Sequence, residues 1–238
     1  MWRITAYLKR APGMAREDFV ARWHVVSSRI ASRDPAARPV RIVMNLPLNP
    51  PQPELIAMFG DRYDGLAEFW FRSREEAIRI LLDLEADPDL QARSAEMLDT
   101  GACSRWLAEV RPVIDRPGTG VRFFVSGQQA EGLSVQEAQR YWRDVHPAVF
   151  GGVDDFMAYI TGYIQMHGLD APELAGTTLF GRYDFFPMCA DMGLREAADV
   201  PIAYALDSYM DIVRPDELKF SKQGEMLSFA STRRIVLE

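Results

Sequence analysis

The chain repeats itself at half its own length, and this constrains its fold more than any single motif. Trp23, in Phe19-Val20-Ala21-Arg22-Trp23, has a counterpart in Trp142, in Ala138-Gln139-Arg140-Tyr141-Trp142; 142 − 23 = 119, half of the 238 residues. Arg62-Tyr63-Asp64 recurs 120 positions later as Arg182-Tyr183-Asp184. Two sets of the same landmarks imply two copies of one small unit, 1–116 and 117–238. The turn-rich Asp115-Arg116-Pro117-Gly118-Thr119-Gly120 joins them.

The hydrophobic pattern is the same in both copies. Trp2, Ile4, Ala6 and Leu8 alternate, as a strand requires. Phe19, Trp23, Val26 and Ile30 fall on one helical stripe, and Ala138, Trp142, Val145 and Val149 form the same stripe 119 positions on. Gly13 and Gly132 mark turns before these helices, and Ser73/Glu76 and Ser134/Glu137 have capping-box spacing. Further strands are expected at 38–48, 66–71, 106–114, 121–125, 158–166, 177–186 and 227–237, and helices at 88–98 and 195–209. The proline-rich 47–53 reads as a loop. Each copy is then strand-helix-strand-strand-helix-strand, the split ferredoxin-like order.

One such unit covers one sheet face with helices and leaves the other bare. The expected fold is therefore α+β: two fused ferredoxin-like repeats whose four-stranded antiparallel sheets form a pseudo-dimeric α+β barrel, with a cavity between the sheets. Side-by-side domains with open sheets are the alternative, and would expose Phe69, Phe71 and Phe124.

The formal charge of −7 argues against a nucleic-acid partner. Cys103 and Cys189 lack metal-site spacing and fit a reducing, cytoplasmic setting. No apolar run approaches a membrane span, and the start is too short and alternating for a signal peptide.

Several segments are similar to one known family: Pro12-Gly13-Met14, the helix from Glu17 to Trp23, and Tyr63-Asp64-Gly65-Leu66-Ala67-Glu68-Phe69-Trp70. In the second half they are Gly132-Leu133-Ser134 and Tyr141-Trp142-Arg143-Asp144-Val145-His146-Pro147. Together they resemble the EthD family of the dimeric α+β barrel superfamily. The family's tryptophan followed four residues later by histidine is met by Trp142 and His146, where the first copy has Ser27. The resemblance implies the barrel fold and a small-molecule site. The superfamily holds lyases, isomerases, decarboxylases, polyketide cyclases and cofactor-free monooxygenases, together with heme binders and proteins that only bind ligands.

The chain has three histidines, His24, His146 and His167; His24 lies beside Trp23, about 100° around the helix, and is expected at the solvent edge. His146 leaves its helix near the apolar stripe, and Pro147 ends or bends that helix because it cannot donate to the Arg143 carbonyl. A helix C-terminus favours imidazolium while burial opposes it, which suits a general acid or base. His167 shares a strand face with Tyr163 and Gln165. Tyr63 and Tyr183 head equivalent strands, and Asn45 and Gln165 are matched on the second strands. The expected catalytic residues are His146, His167 and Tyr183. Asn45, Tyr63, Trp70, Tyr163, Gln165 and Trp142 are expected to bind substrate.

No metal ligand set and no phosphate or dinucleotide loop is present, so no metal and no cofactor are expected; heme stays open because one axial histidine suffices. The expected function is a cofactor-independent lyase or isomerase acting on a small aromatic or polyketide-like carbonyl compound. A cofactor-free aromatic monooxygenase and a noncatalytic ligand binder are the alternatives. The chain is expected to be a monomer with an internal pseudo-dimer, or a homodimer of such chains.

Overall fold

The computed structural model describes residues 1–222, 224 and 226–238. Its strands are β1 (Trp2–Leu8), β2 (Arg41–Pro47), β3 (Gly65–Phe71), β4 (Ser104–Asp115), β5 (Val121–Gly127), β6 (Ile160–Leu169), β7 (Arg182–Tyr183), β8 (Met188–Leu194) and β9 (Leu227–Leu237). The α-helices are α1 (Arg16–Ala31), α2 (Pro53–Phe59), α3 (Arg74–Glu85), α4 (Pro88–Met97), α5 (Val135–Asp144), α6 (His146–Gly151), α7 (Asp154–Met157), α8 (Asp199–Tyr204) and α9 (Arg214–Glu217). Among the described residues no helix is long and apolar enough to cross a membrane.

Eight strands close an antiparallel barrel in the order β4-β1-β3-β2-β9-β5-β8-β6, with β6 pairing back onto β4. The first half supplies β4-β1-β3-β2 and the second β9-β5-β8-β6, and the seams are β2–β9 and β4–β6. Closure removes the sheet edges and buries both faces of each wall. On β1, Ile4, Ala6 and Leu8 join the core under the helices, while Arg3, Thr5 and Tyr7 are buried on the other face.

Among the described residues the interior of the barrel, where a cavity between the sheets was expected, is filled by side chains. Tyr7, Trp106, Phe124, Met166 and Phe229 pack there. Beside them lies an ion network. Arg3 donates through Nη1 to Glu68 at 3.0 Å and to Asp191 at 2.9 Å. The Arg122 Nε donates to the other Asp191 oxygen at 2.7 Å. Glu68 also accepts from Asn45 at 2.8 Å and from the Trp70 indole at 2.8 Å. Asn45 and Trp70 are thus bound inside the barrel wall, not at a ligand site.

The stripe on α1 is buried as its spacing requires. The matching stripe on the second helix breaks at Val145, which is exposed. Pro147 ends α5, and the turn into α6 buries His146 and Phe150 in place of Val145 and Val149. The Ser134–Glu137 capping box is formed, and Gly13 and Gly132 both adopt positive φ.

The third barrel strand of the second half lies at Met188–Leu194, beyond the expected 177–186. Gly176, Gly181 and Pro187 interrupt that stretch, leaving only β7, which pairs in parallel with β4. Leu174, Leu179 and Phe180 from this connection fill the first half's core. Reciprocally, α2 begins at the last residue of the expected loop, with Pro53 tolerated in its first turn, and its Leu55 enters the second half's core. The expected helix at 195–209 is shorter, α8 being followed by a π-helical turn over Tyr209–Val213 and then α9.

Strand register corrects the matching of the halves. Thr5 faces Glu68 and Phe124 faces Asp191, while Glu68 faces Val43 and Asp191 faces Ile164. The offsets are therefore 124 − 5 = 119, 191 − 68 = 123 and 164 − 43 = 121. Asn45 corresponds to Met166, and His167 to Leu46. A one-residue slip reverses the face of every side chain. Asn45 therefore points into the barrel and Gln165 toward the helices.

Candidate active site

A cavity that can hold a ligand lies between the second half's sheet and its helices. Its volume is about 340 Å³, at the small end for ligand pockets. Phe123 and Val125 on β5, Met188, Ala190 and Met192 on β8, and Tyr163 on β6 form its floor. Trp142 on α5, His146 and Phe150 on α6, and Tyr209, Arg214 and Glu217 on the segment after α8 form its roof.

His146 is fixed by Asp216. Its Nδ1 lies 2.8 Å from the Asp216 carboxylate, and both side chains are buried. His146 lines the cavity, and Asp216, which holds its Nδ1, is not among the lining residues. The Phe220 ring packs edge-on against the imidazole, 4.9 Å away. Burial raises the Asp216 carboxyl, but hydrogen bonds from Tyr141 (2.6 Å), His146 and Lys219 (3.0 Å) outweigh it and hold the group below the usual carboxylate range. Asp216 stays ionised and selects the tautomer that carries a proton on Nδ1.

Glu217, the next residue, faces the cavity and shifts the other way. Burial raises its pKa despite hydrogen bonds from the Tyr209 hydroxyl (3.0 Å) and Arg214 (3.1 Å). Two adjacent carboxyls pushed in opposite directions are the pattern that separates an acid from a base.

Tyr163 supplies a donor. Its hydroxyl accepts from the Trp142 indole at 2.7 Å and from Gln165 at 3.4 Å. Among the described residues, its own proton has no acceptor, and burial pushes its pKa well up. It is a neutral hydroxyl able to donate to a ligand oxygen.

Of the residues expected from sequence, His146, Trp142 and Tyr163 meet at this cavity. Gln165 sits behind it and donates to the Trp142 carbonyl at 2.7 Å. His167 stacks on Trp142 with centroids 4.9 Å apart and bonds Gln165 at 3.1 Å. It orders the wall and is not among the residues lining this cavity. Tyr183 lies against the first half's core, its hydroxyl donating to the Leu169 carbonyl at 2.9 Å, because its strand pairs with β4 and not with β5. Tyr63 lines a separate, second cavity. Asp216, Glu217, Tyr209 and Arg214 are absent from the sequence expectations. Pro215 and the π-helical turn erase the helical period there; the Asp-Glu doublet before Lys219 is the available signal.

His167 makes stability acid-sensitive. Burial, with Arg111 and Arg143 nearby, pushes its pKa from 6.5 down to about 4. The unfolded chain therefore takes up the proton first as pH falls. The stability present above pH 6.5 is lost progressively toward about 4. The loss is on the order of 3 kcal/mol. Urea unfolding of His167→Gln is expected to show a flatter pH dependence over this window; an unchanged slope contradicts it.

No family model matches the chain, and no curated protein sequence matches it. Solved structures do. An anthrone oxidase-like protein matches at TM-score 0.59 and 11% identity, over 100% of this chain and 93% of that one. A mutant chlorite dismutase from Candidatus Nitrospira defluvii matches at TM-score 0.50 and 8% identity, over 97% and 91%. A novel heme-binding protein from Thermus thermophilus matches at 0.49 and 12% identity, over 98% and 90%. The expectation of no cofactor is thereby corrected: a chlorite dismutase stands among the matching structures, so absence of a cofactor does not come with this fold. The likeness is one of fold: an α+β chain with a closed eight-stranded antiparallel barrel, similar to dimeric α+β barrel proteins.

Proposed function

We propose that the protein is a small-molecule enzyme that moves a proton on a planar aromatic carbonyl compound bound in the second half's cavity. The buried His146–Asp216 pair at 2.8 Å on an aromatic wall carries this reading. His146 Nε2 takes a proton from the carbon activated by the carbonyl, and Asp216 stabilises the imidazolium. Tyr163 donates to the substrate oxygen on which negative charge develops. Glu217, held toward its protonated form, returns a proton at a second atom. Trp142, Phe150 and Phe123 sandwich the ring system. Dehydration and isomerisation share this first step, as does carbanion formation before attack on oxygen; in a decarboxylation the same carbanion forms by loss of carbon dioxide, and the His146 imidazolium would protonate it.

The EthD resemblance belongs to this reading, as do two copies of one unit at 1–116 and 117–238; the same strand order in each half supports both. Anthrone is a suitable first probe, being a planar aromatic ketone with acidic methylene hydrogens. Conversion under anaerobic conditions supports lyase or isomerase chemistry. Conversion that requires oxygen supports the monooxygenase alternative. Binding without any conversion across an aromatic ketone panel leaves only a ligand binder and sinks the enzyme reading.

A second reading is favoured by the same histidine. An imidazole with a carboxylate on Nδ1 is the usual arrangement of a metal-ligating histidine, so the donor chemistry fits a heme. His146 would hold the iron through Nε2, Asp216 would orient the ring, and Arg214 would meet a carboxylate. Bound heme would supply redox chemistry. Titrating the purified protein with hemin tests this: a Soret shift abolished in His146→Ala supports it, and a spectrum indifferent to that substitution contradicts it.

A further inference from the structure

A second cavity, of about 240 Å³, opens where the connection between β2 and β3 crosses the start of β9. Its apolar wall is Pro47, Leu48, Pro51, Leu55 and Phe229, and the Tyr63 ring closes one side. Tyr63 is held in place by stacking on Tyr7 at 4.8 Å.

The charges around it do not cancel. Arg10, Arg16 and Arg62 line it, against Asp61 and Asp64. Asp64 is already answered by Lys9 at 3.3 Å and by Arg10 at 3.6 Å, and it accepts from the Arg10 amide at 3.1 Å. Arg16 is half-buried and uses Nη2 on the Pro47 carbonyl at 2.9 Å, which fixes its fork at the cavity wall. Arg62 lies over the Tyr63 ring at 5.3 Å. In a chain of net charge −7, this is a local surplus of guanidinium beside an apolar, aromatic wall.

We infer that this second cavity binds a small aromatic carboxylate. Guanidinium forks match a carboxylate in geometry as well as charge, and the prolines, Leu55 and Tyr63 take the ring. The inference is independent of the chemistry assigned to His146, since the two cavities have different walls apart from Ser228.

Fluorine NMR with para-fluorobenzoate, and with neutral para-fluorobenzamide as control, tests it on the full chain. Saturable benzoate binding is expected, weaker by about tenfold or more in Arg16→Gln and in Arg62→Gln. Binding should also weaken with added salt. Ala190→Phe, which fills the first cavity, should leave benzoate binding intact. Arg62 is exposed, so Arg62→Gln keeps the test open should Arg16→Gln fail to fold. No saturable binding, equal binding of the benzamide, indifference to the arginine substitutions, or loss in Ala190→Phe each overturns the inference.

Discussion

His146→Gln is expected to reduce turnover by roughly a hundredfold to ten-thousandfold while the protein stays folded, the range that a positioned general base contributes. Glutamine keeps a polar side chain of similar reach but cannot accept and carry the proton. Asp216→Asn is expected to lose a comparable amount. The amide removes the negative charge that stabilises imidazolium, and its NH₂ can turn toward Nδ1 and select the wrong tautomer. Tyr141→Phe and Lys219→Met touch the other Asp216 oxygen, so they should cost only a few-fold. Glu217→Gln should remove the limb of the pH–rate profile that reports the acid. Steady-state kinetics on the first converted ketone give all five values. Full activity in folded His146→Gln removes this residue from the mechanism.

Arg3→Met is expected to be among the most destabilising single changes. Arg3 has no solvent exposure and links Glu68 of the first half to Asp191 of the second. Its removal leaves two buried carboxylates with fewer cations than they need. Breaking a buried pair from one side costs about 3–5 kcal/mol. For a chain of this size the melting temperature should fall by roughly 10 °C. A drop of this size in calorimetry, with cavity binding retained once the protein is folded, fits a network that locks the two halves. A change of under about 1 kcal/mol would mean that water or local rearrangement answers the carboxylates.

The barrel was legible because it rests on periodicity. The buried stripe of Phe19, Trp23, Val26 and Ile30, the Ser134 cap and the strand at Leu227–Leu237 all follow from local pattern. The location of the site was not legible in the same way. Facing residues depend on register, and equal spacing of Asn45 and Gln165 concealed different offsets in different strands. The β8 sequence Met-Cys-Ala-Asp-Met-Gly-Leu shows no alternation because both of its faces are buried, one of them against charge. Arg3 and Asp191 lie 188 positions apart, and only closure of the barrel places them face to face. His146 was legible from Pro147 and the apolar stripe. Its partner Asp216, 70 positions away, required the fold.

In the proposed function, His146, oriented by Asp216, moves a carbon-bound proton in the second half's cavity. Incorporation of deuterium at the methylene carbon of anthrone, followed by proton NMR in heavy water, reads that step without requiring the later ones. The folded wild-type protein should accelerate exchange above the buffer rate, and His146→Gln and Asp216→Asn should abolish the acceleration. Equal acceleration in the wild type and in folded His146→Gln contradicts the claim.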